Sequence, residues 1–296
     1  MAKVPNHQGK VTFEFILTQF ETCIHDLRPF FQLFTYEKIC LPAETAKIGC
    51  ILKQRPDIKP LQLILCDIAY SVVFFGLNKW DREAIKNLYQ SVYHPMFLKY
   101  VLDYLSRKPH RDSEEYNQWR ELQFPLRTAY LEQLTANMAE NADHLNVFSE
   151  TLDRDSKFRH LSFSRPYKFY GGHQFKLGHY YRHLFQTVKY INEQSIFSYP
   201  EKYEYSKTLR AQLSTPEQYL LLFNSISRIG RDWELNKLVA DATCIDEQLI
   251  TKYNLVRNVP SVTFLDFLDM RDYYPLVTFE FQPEPEGRDK LEKKYH

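Results

Sequence analysis

The sequence predicts an all-α protein with a multi-helix, bundle-like fold. Only 8 of its 296 residues are glycine, so tight turns that need a positive φ must be few. Apolar residues recur at steps of three and four over long segments, which favours amphipathic helices over strands. Aromatic residues make up 16% of the chain, enough for a well-filled core with amphipathic rings at its edge.

In the N-terminal half, the apolar period predicts a series of helices separated by prolines. The first covers residues 11–36, and Pro29 should kink or split it. Two prolines within residues 55–60 predict a break, and Pro95 suits the first turn of a helix. The other predicted helices are 43–54, 61–76, 81–92, 95–106 and a long helix over about 119–148 that contains Pro125.

In the C-terminal half, the pattern predicts a long ordered loop and then further helices. The loop covers residues 151–170, where no helical period is clear. Ser214 and Glu217 form a capping-box pattern at the start of a helix over 216–229, for which Gly230 is a candidate C-cap. The remaining segments are a helix over 175–192, an aromatic stretch at 197–205 interrupted by Pro200, and helices over 231–241 and 246–253.

We expect a single helical domain over residues 11–282. The charged residues 107–117 predict an exposed loop, which is the best candidate for a sub-boundary. Residues 1–10 and 283–296 are polar or charged and are expected to be flexible tails.

Composition limits the classes of partner and compartment. The formal charge is +1, so nucleic-acid binding would require a local basic patch. The five cysteines contain no Cys-x-x-Cys pair, which argues against a thiolate zinc site and is typical of reduced thiols in a cytoplasmic protein. The N-terminus has no signal-peptide core, and the apolar run at 61–77 is too polar and slightly short for a membrane span.

Residues 171–192 concentrate the polar chemistry of the chain beside a helical apolar stripe. His179 precedes Arg182 by three residues and His183 by four, so the three share one helix face. Arg182 offers a planar fork to a phosphate or carboxylate, and histidine titrates near neutral pH. The alternative is structural: Arg182 pairs with an acidic residue inside the bundle, and each histidine is satisfied there too.

The glycine pair before this helix also has two interpretations. Gly171 and Gly172, together with His173 and Lys176, could form an anion-binding nest at the start of the helix. Otherwise the glycines make a positive-φ turn or a close backbone approach that lets the helix pack.

No cofactor or metal is expected. The two histidines four residues apart lack the glutamate of a His-Glu-x-x-His motif, since Tyr180 and Tyr181 follow His179. The chain also carries no dinucleotide fingerprint, no Walker sequence and no serine-hydrolase elbow.

Two further positions allow a functional or a structural interpretation. Arg154 and His160 are separated by five residues, and some all-α ribonucleases of toxin and defence systems use an Arg and a His at four to six residues. That pattern is short, and Arg154 lies in the predicted loop. Asn224 interrupts an apolar helix, so it either faces solvent or makes a specific buried hydrogen bond, and a structural role is favoured over a functional one.

Two segments resemble the AbiC-like family of phage abortive infection proteins. Gly178-His-Tyr-Tyr-Arg-His-Leu-Phe-Gln-Thr-Val-Lys-Tyr-Ile-Asn192 is similar to the family signature Gly-His-Tyr-Phe-Arg-x-Leu-Tyr-x-x-x-Lys-Phe-Ile-Asp. Tyr205–Glu217, followed by Leu220–Asn224, resembles the second block of the same family. Many relatives carry N-terminal membrane helices, which this sequence lacks, so a membrane-acting mechanism is not expected. The positions that match the signature are His179, Arg182, Arg210, Gln212 and Asn224.

The resemblance implies a role in bacterial antiviral defence. The leading hypothesis is a cytoplasmic sensor or interaction module that recognises a phage component or a nucleic acid with the surface Gly171–Arg182. The alternative is an RNA-cleaving enzyme, with His179, Arg182 and His183 as catalytic candidates. A third possibility is a structural subunit that works with a co-encoded defence partner. The aromatic content makes a homo-oligomer plausible.

Overall fold

Helices account for nearly all regular structure in the computed structural model, which describes residues 8–161, 168–236 and 248–295, with side chains from residue 12 onward. The predicted all-α class is confirmed, because the strands of the described part are a single two-residue antiparallel pair. That pair is β1 (Thr263–Phe264) and β2 (Leu268–Asp269), joined by a turn in which Leu265 and Asp266 have positive φ.

The helices of the N-terminal half largely follow the predicted segments. They are α1 (Gln8–Phe31), α2 (Tyr36–Ile39), α3 (Pro42–Gln54), α4 (Pro60–Phe75), α5 (Lys79–Tyr89), α6 (Pro95–Ser106), α7 (Glu115–Glu140) and α8 (Leu145–Arg154), followed by a 3-10 turn at Arg159–Leu161. Pro95 occupies the first turn of α6 as predicted. Pro29 lies in the last turn of α1, which ends two residues later instead of continuing to residue 36.

The C-terminal half contains a helix that the sequence analysis missed. Its elements are α9 (Gln174–Glu193), α10 (Tyr199–Arg210), α11 (Thr215–Ile226), a 3-10 turn at Arg231–Trp233, α12 (Leu249–Tyr253), α13 (Met270–Tyr273) and α14 (Arg288–Tyr295). The longest unpredicted helix is α10, and the short helices α2, α13 and α14 were not predicted either. Ser198 and Glu201 begin it with the same pattern that begins α11, and the Ser198 N–H donates to the Glu201 carboxylate at 2.8 Å. Residues 237–247, which include the second half of the predicted helix 231–241 and the first two residues of the predicted helix 246–253, lie outside the described residues.

Two predicted helix ends were wrong. The helix expected over 119–148 is two helices, because Asn141 adopts a left-handed conformation (φ +58°) and closes α7. Pro125 lies inside α7. The second wrong end is that of α11. This helix ends at Ile226, with Ser227 as its C-cap, so Gly230 does not cap it.

The described residues fall into two compact units. The first unit contains Met1–Glu21, Lys47–Tyr70 and Phe175–His296, and the second unit contains Thr22–Ala46 and Ser71–Gln174. Residues 107–117, the predicted sub-boundary, lie within the second unit. The extent of independently folding domains stays a prediction.

The core of the first unit is built on α11. Every residue from Gln218 to Ile226 is buried. The ring of Phe223 stacks on Phe20 of α1 with 4.2 Å between centroids and meets Phe264 of β1 at 4.6 Å. Rings in these offset and edge arrangements add to the free energy of burial, so this cluster fixes α11 against its neighbours.

Buried cations stabilise the second unit. Lys108 is 3% exposed, and its ammonium group lies 2.6 Å from the Asp26 carboxylate. The rings of Trp119 and Phe169 cover the same ammonium at 4.4 and 4.3 Å. Burial lowers the pKa of Lys108, and the neighbouring Asp26 opposes that shift.

The expectation that residues 107–117 form an exposed loop was therefore wrong for its first three residues, which are buried, and for its last three, which lie in α7. Arg107 is also buried and donates to the Tyr130 hydroxyl, to Asp153 at 2.8 Å and to the carbonyl of Ser149 at 3.3 Å. Buried cations need such partners because an unpaired buried charge is very costly.

The C-terminal segment is anchored by another buried arginine. Arg288 is 1% exposed and donates to the carbonyls of Thr251 at 2.6 Å, Lys252 at 3.1 Å and Leu276 at 3.1 Å. The predicted flexible tail is thus a short helix, α14, over much of its length. In the described part of the chain, no helix is both long enough and apolar enough to span a bilayer.

We predict that Lys108→Met lowers the free energy of unfolding by about 3–5 kcal/mol, because Asp26 would remain buried without its cation. Denaturant unfolding followed by tryptophan fluorescence measures the change, since Trp119 contacts Lys108. The matched control is Lys99→Met, which removes the exposed Lys99–Asp143 pair (2.7 Å) and should cost less than about 1 kcal/mol. Equal losses in the two variants would contradict this assignment.

Candidate functional site

The helix α9 presents one face to the core and the other to solvent, as its sequence period predicts. Leu177, Tyr181, Leu184 and Val188 form the buried face. The Tyr181 hydroxyl donates to the backbone carbonyl of Glu217 at 2.9 Å, which joins α9 to the first turn of α11. This contact sets the distance between α9 and the α10–α11 turn.

An open groove of about 820 Å³ lies between α9 and the α10–α11 turn, within the first unit. We call it the α9 groove. Seven of its lining residues come from α9 and four from the end of α10, the turn and the start of α11. They are Phe175, Lys176, His179, Tyr180, His183, Leu184 and Thr187, with Leu209, Gln212, Leu213 and Glu217.

Three rings follow one another along the α9 side of the groove, at intervals of four residues. Phe175 meets His179 edge-on with 5.2 Å between centroids, and His179 lies nearly parallel to His183 at 6.4 Å. We call these three side chains the ring ladder. Phe175 is 81% exposed, and both histidines are exposed. An exposed row of rings offers stacking surface to a ligand.

Cationic side chains accompany the ring ladder. Lys176 lines the groove and is exposed. Arg182 is exposed on the following turn of α9 and has no ion-pair partner among the described residues. The structural interpretation, in which Arg182 pairs with an acid inside the bundle, is therefore wrong. The guanidinium is available to an anion.

The carboxylate of Glu217, which lines the groove, already accepts hydrogen bonds from within the protein. Among the described lining residues Glu217 alone is acidic, and it accepts the Ser214 N–H at 2.6 Å as well as the Ser214 hydroxyl. It also accepts the hydroxyl of Tyr180, whose pKa is raised by burial and by this hydrogen bond. Glu217 thus caps α11 and holds α9, and its charge is largely satisfied inside the protein.

The structure brings together four of the predicted site residues. Lys176, His179, His183 and Gln212 all line the α9 groove, and Arg182 lies beside it on the same helix. Phe175 was not among the predicted site residues, although its position four residues before His179 was a usable signal. Glu217 was predicted to cap α11 but not to line the groove, and no local signal indicates that second contact.

Two other predicted site residues have interior hydrogen bonds. Arg210 is buried and donates to the backbone carbonyls of Tyr253 at 3.2 Å and Asn254 at 2.9 Å. Asn224 is 5% exposed, donates to the Tyr70 hydroxyl at 3.1 Å and accepts from the Trp233 indole N–H at 3.1 Å. Of the two alternatives for Asn224, exposure to solvent or a specific buried hydrogen bond, the structure shows the second. Gly230 matters here, since a Cβ at that position would collide with Asn224.

The family comparison covers this part of the chain. Residues 172–264 match the family model described as "Putative phage abortive infection protein". The match confirms the resemblance predicted from residues 178–192 and 205–224, and it includes the whole lining of the α9 groove from Phe175 to Glu217. It covers less than half of the chain. No curated protein and no solved structure matches.

The abortive-infection match begins at a glycine that has a structural role. Gly172 has φ +86°, and a Cβ there would collide with the carbonyl oxygen of Phe75. The next N–H, that of His173, donates to the Phe74 carbonyl at 2.8 Å. The close-approach interpretation therefore holds for Gly172, and the His173 N–H is not directed at a ligand.

Arg154 and His160 lie in the second unit. Arg154 is in the last turn of α8, not in a loop as predicted, and it is exposed beside Glu150 at 3.1 Å. His160 is in the 3-10 turn at Arg159–Leu161. The described residues contain no cluster of three or more His, Cys, Asp or Glu side chains that could hold a metal ion.

We predict that Gly172→Ala destabilises the second unit by about 1–3 kcal/mol, because alanine is strained at positive φ and meets backbone atoms of Phe75. Gly171→Ala is the control, since a Cβ there meets nothing within 4 Å. That variant should change the free energy of unfolding by less than about 0.5 kcal/mol. Equal stability of the two variants in denaturant unfolding would refute the close approach.

We also predict different effects on stability for substitutions of two arginines within the segment that matches the abortive-infection family. Arg182→Ala should leave the thermal melt unchanged, because the side chain is exposed. Arg210→Ala should lower stability by about 1–3 kcal/mol, because two buried carbonyls lose their donor. A melt in which Arg182→Ala unfolds early would restore the buried ion-pair interpretation.

Proposed function

We propose that this protein acts in phage abortive infection as a sensor or interaction module that binds a single-stranded nucleic acid in the α9 groove. The match of residues 172–264 to the abortive-infection family supports the process. The observation that carries the choice of ligand is the ring ladder with its adjacent cations. The proposed place of action is the bacterial cytoplasm, where phage nucleic acid is delivered and copied.

The ring ladder suits unpaired bases. Every base has a π face, so aromatic side chains bind single strands with little sequence preference, and each base–ring contact contributes about 1–3 kcal/mol. Phe175, His179 and His183 stand on successive turns of one helix, with 5.2 and 6.4 Å between neighbouring centroids. A double helix hides its base faces and could not use these rings.

The local charge suits a phosphate backbone. The formal charge of the whole chain is +1, so a nucleic-acid site needs a local excess of cations. Lys176 and Arg182 provide it along α9, and the carboxylate of Glu217 is turned to Ser214 and Tyr180. Arg182 can hold a phosphate through two parallel hydrogen bonds. A phage protein is the alternative ligand. Binding a protein would not by itself call for a row of exposed ring faces.

We predict that the purified chain binds labelled single-stranded oligonucleotides and that groove variants weaken this binding. Phe175→Ala should cost about 1–3 kcal/mol, or roughly 5- to 150-fold in Kd. Arg182→Ala should weaken binding and reduce the slope of log K against log salt by about 0.7. Arg154→Ala is the matched control, an exposed arginine outside the groove. Fluorescence anisotropy at several salt concentrations measures all three.

The same variants test the role in cells. At matched protein level the intact chain and Arg154→Ala should reduce phage plaquing, whereas Phe175→Ala and Arg182→Ala should not. If the chain restricts phage but binds no oligonucleotide, the proposed ligand is wrong and a phage protein becomes the trigger. If it restricts no phage on a broad panel, the antiviral role itself fails.

A further inference from the structure

His179 and His183 carry imidazole groups, which can transfer protons as well as stack on bases. They lie on successive turns of α9, both are exposed, and both line the α9 groove. Their rings are 6.4 Å apart and within 22° of parallel. Histidine is the side chain that most often acts as a general acid or a general base in catalysis.

Such a pair matches the cleavage of RNA by its own 2′-hydroxyl. One neutral imidazole removes the proton of the 2′-hydroxyl, and the 2′-oxygen forms a bond to phosphorus. The bond from phosphorus to the 5′-oxygen breaks, and the other imidazole, which starts protonated, gives its proton to that leaving oxygen. The products are a 2′,3′-cyclic phosphate and a 5′-hydroxyl. Atoms and charges balance with no further reactant.

The spacing of the pair is suitable for this reaction. The attacking and leaving oxygens lie on opposite sides of phosphorus, and each needs an imidazole at a hydrogen-bond distance of about 2.6–3.2 Å. Two such contacts on either side of one phosphate require two imidazoles that are separated by several ångströms, and the centroids of the two rings are 6.4 Å apart.

The surrounding groups leave the proton transfers to the histidines. Lys176 and Arg182 on α9 are cations that can stabilise the negative charge that develops on the phosphate oxygens. On α11, Glu217 is engaged by Ser214 and Tyr180, and burial raises the pKa of Tyr180 so that it stays a neutral phenol. Leu209, Gln212 and Leu213 on the opposite side carry no titratable group.

We infer that the α9 groove cleaves single-stranded RNA, with His179 and His183 as its general base and general acid. This inference rests on the proposed function, because it needs a strand in the groove, and it adds a reaction to binding. It differs from an enzyme that uses Arg154 and His160, which lie in the other unit. Substrates must contain a 2′-hydroxyl, so DNA is bound but not cut.

The experiment compares cleavage and binding on the same samples. The intact chain, His179→Ala, His183→Ala and the control His144→Ala, an exposed histidine of the second unit, are purified identically and checked by thermal melt. Each is incubated in EDTA with an end-labelled unstructured RNA and with its DNA counterpart. Cleavage is followed on gels, the new 3′ ends are tested for cyclic phosphate, and binding is measured by anisotropy. RNA ends are also sequenced from phage-infected cells that express each chain.

We expect cyclic-phosphate ends with the intact chain and with His144→Ala, and a loss of at least about 100-fold in rate with either groove variant. Cutting that persists in both groove variants would overturn the assignment. Oligonucleotide binding without cyclic-phosphate ends, in the tube and in infected cells, would overturn the reaction and leave the proposed function standing. Absence of both binding and cleavage would overturn both.

Discussion

The α9 groove depends on the contacts that join two neighbouring tyrosines of α9 to one residue of α11. The Tyr181 hydroxyl bonds to the backbone carbonyl of Glu217, and the Tyr180 hydroxyl bonds to its carboxylate. The same carboxylate accepts the Ser214 N–H and so caps α11. Glu217 therefore caps the start of α11 and also holds α9 in place. These partly buried hydrogen bonds hold the groove walls at their separation.

The two faces of α9 have different roles: the buried face stabilises the fold, and the exposed face is available for binding. Its buried face, which includes Leu177 and Val188, supplies apolar burial, so the helix needs no help from its exposed face to stay in place. The exposed face is free to carry a row of rings and cations that gives little to stability. Exposure of aromatic surface to water is energetically unfavourable, so a contiguous exposed patch often marks a binding site. Here the exposed rings lie in the segment that matches the abortive-infection family.

Several charged residues that resemble loop or tail residues in the sequence are part of the interior. Lys108 pairs with Asp26, which is 82 positions away in the chain, and Arg288 bonds to carbonyls near Thr251. Charge normally indicates solvent exposure, because burying an unpaired ion is so unfavourable. Here each ion meets partners that only folding brings close. For this reason residues 107–108 were predicted to be exposed, and the structure contradicts that expectation. For the same reason the C-terminal segment was predicted to be flexible, whereas in the structure it contains α14 and the buried Arg288.

The sequence by itself determined the helical class, the amphipathic period of α9 and the capping pattern at Ser214, because each depends on residues within a turn or two. The Ser198 pattern is also a local signal for α10, although α10 was not predicted. The need for glycine at Gly172 was decided by the tertiary structure, because the backbone of Phe75 lies against it. The tertiary structure alone decided which side chains share the groove. Glu217 reaches α9 across 36 positions and Asn224 reaches Tyr70 across 154. Such contacts follow from the packing of several helices at once, and no local pattern of residue types encodes them.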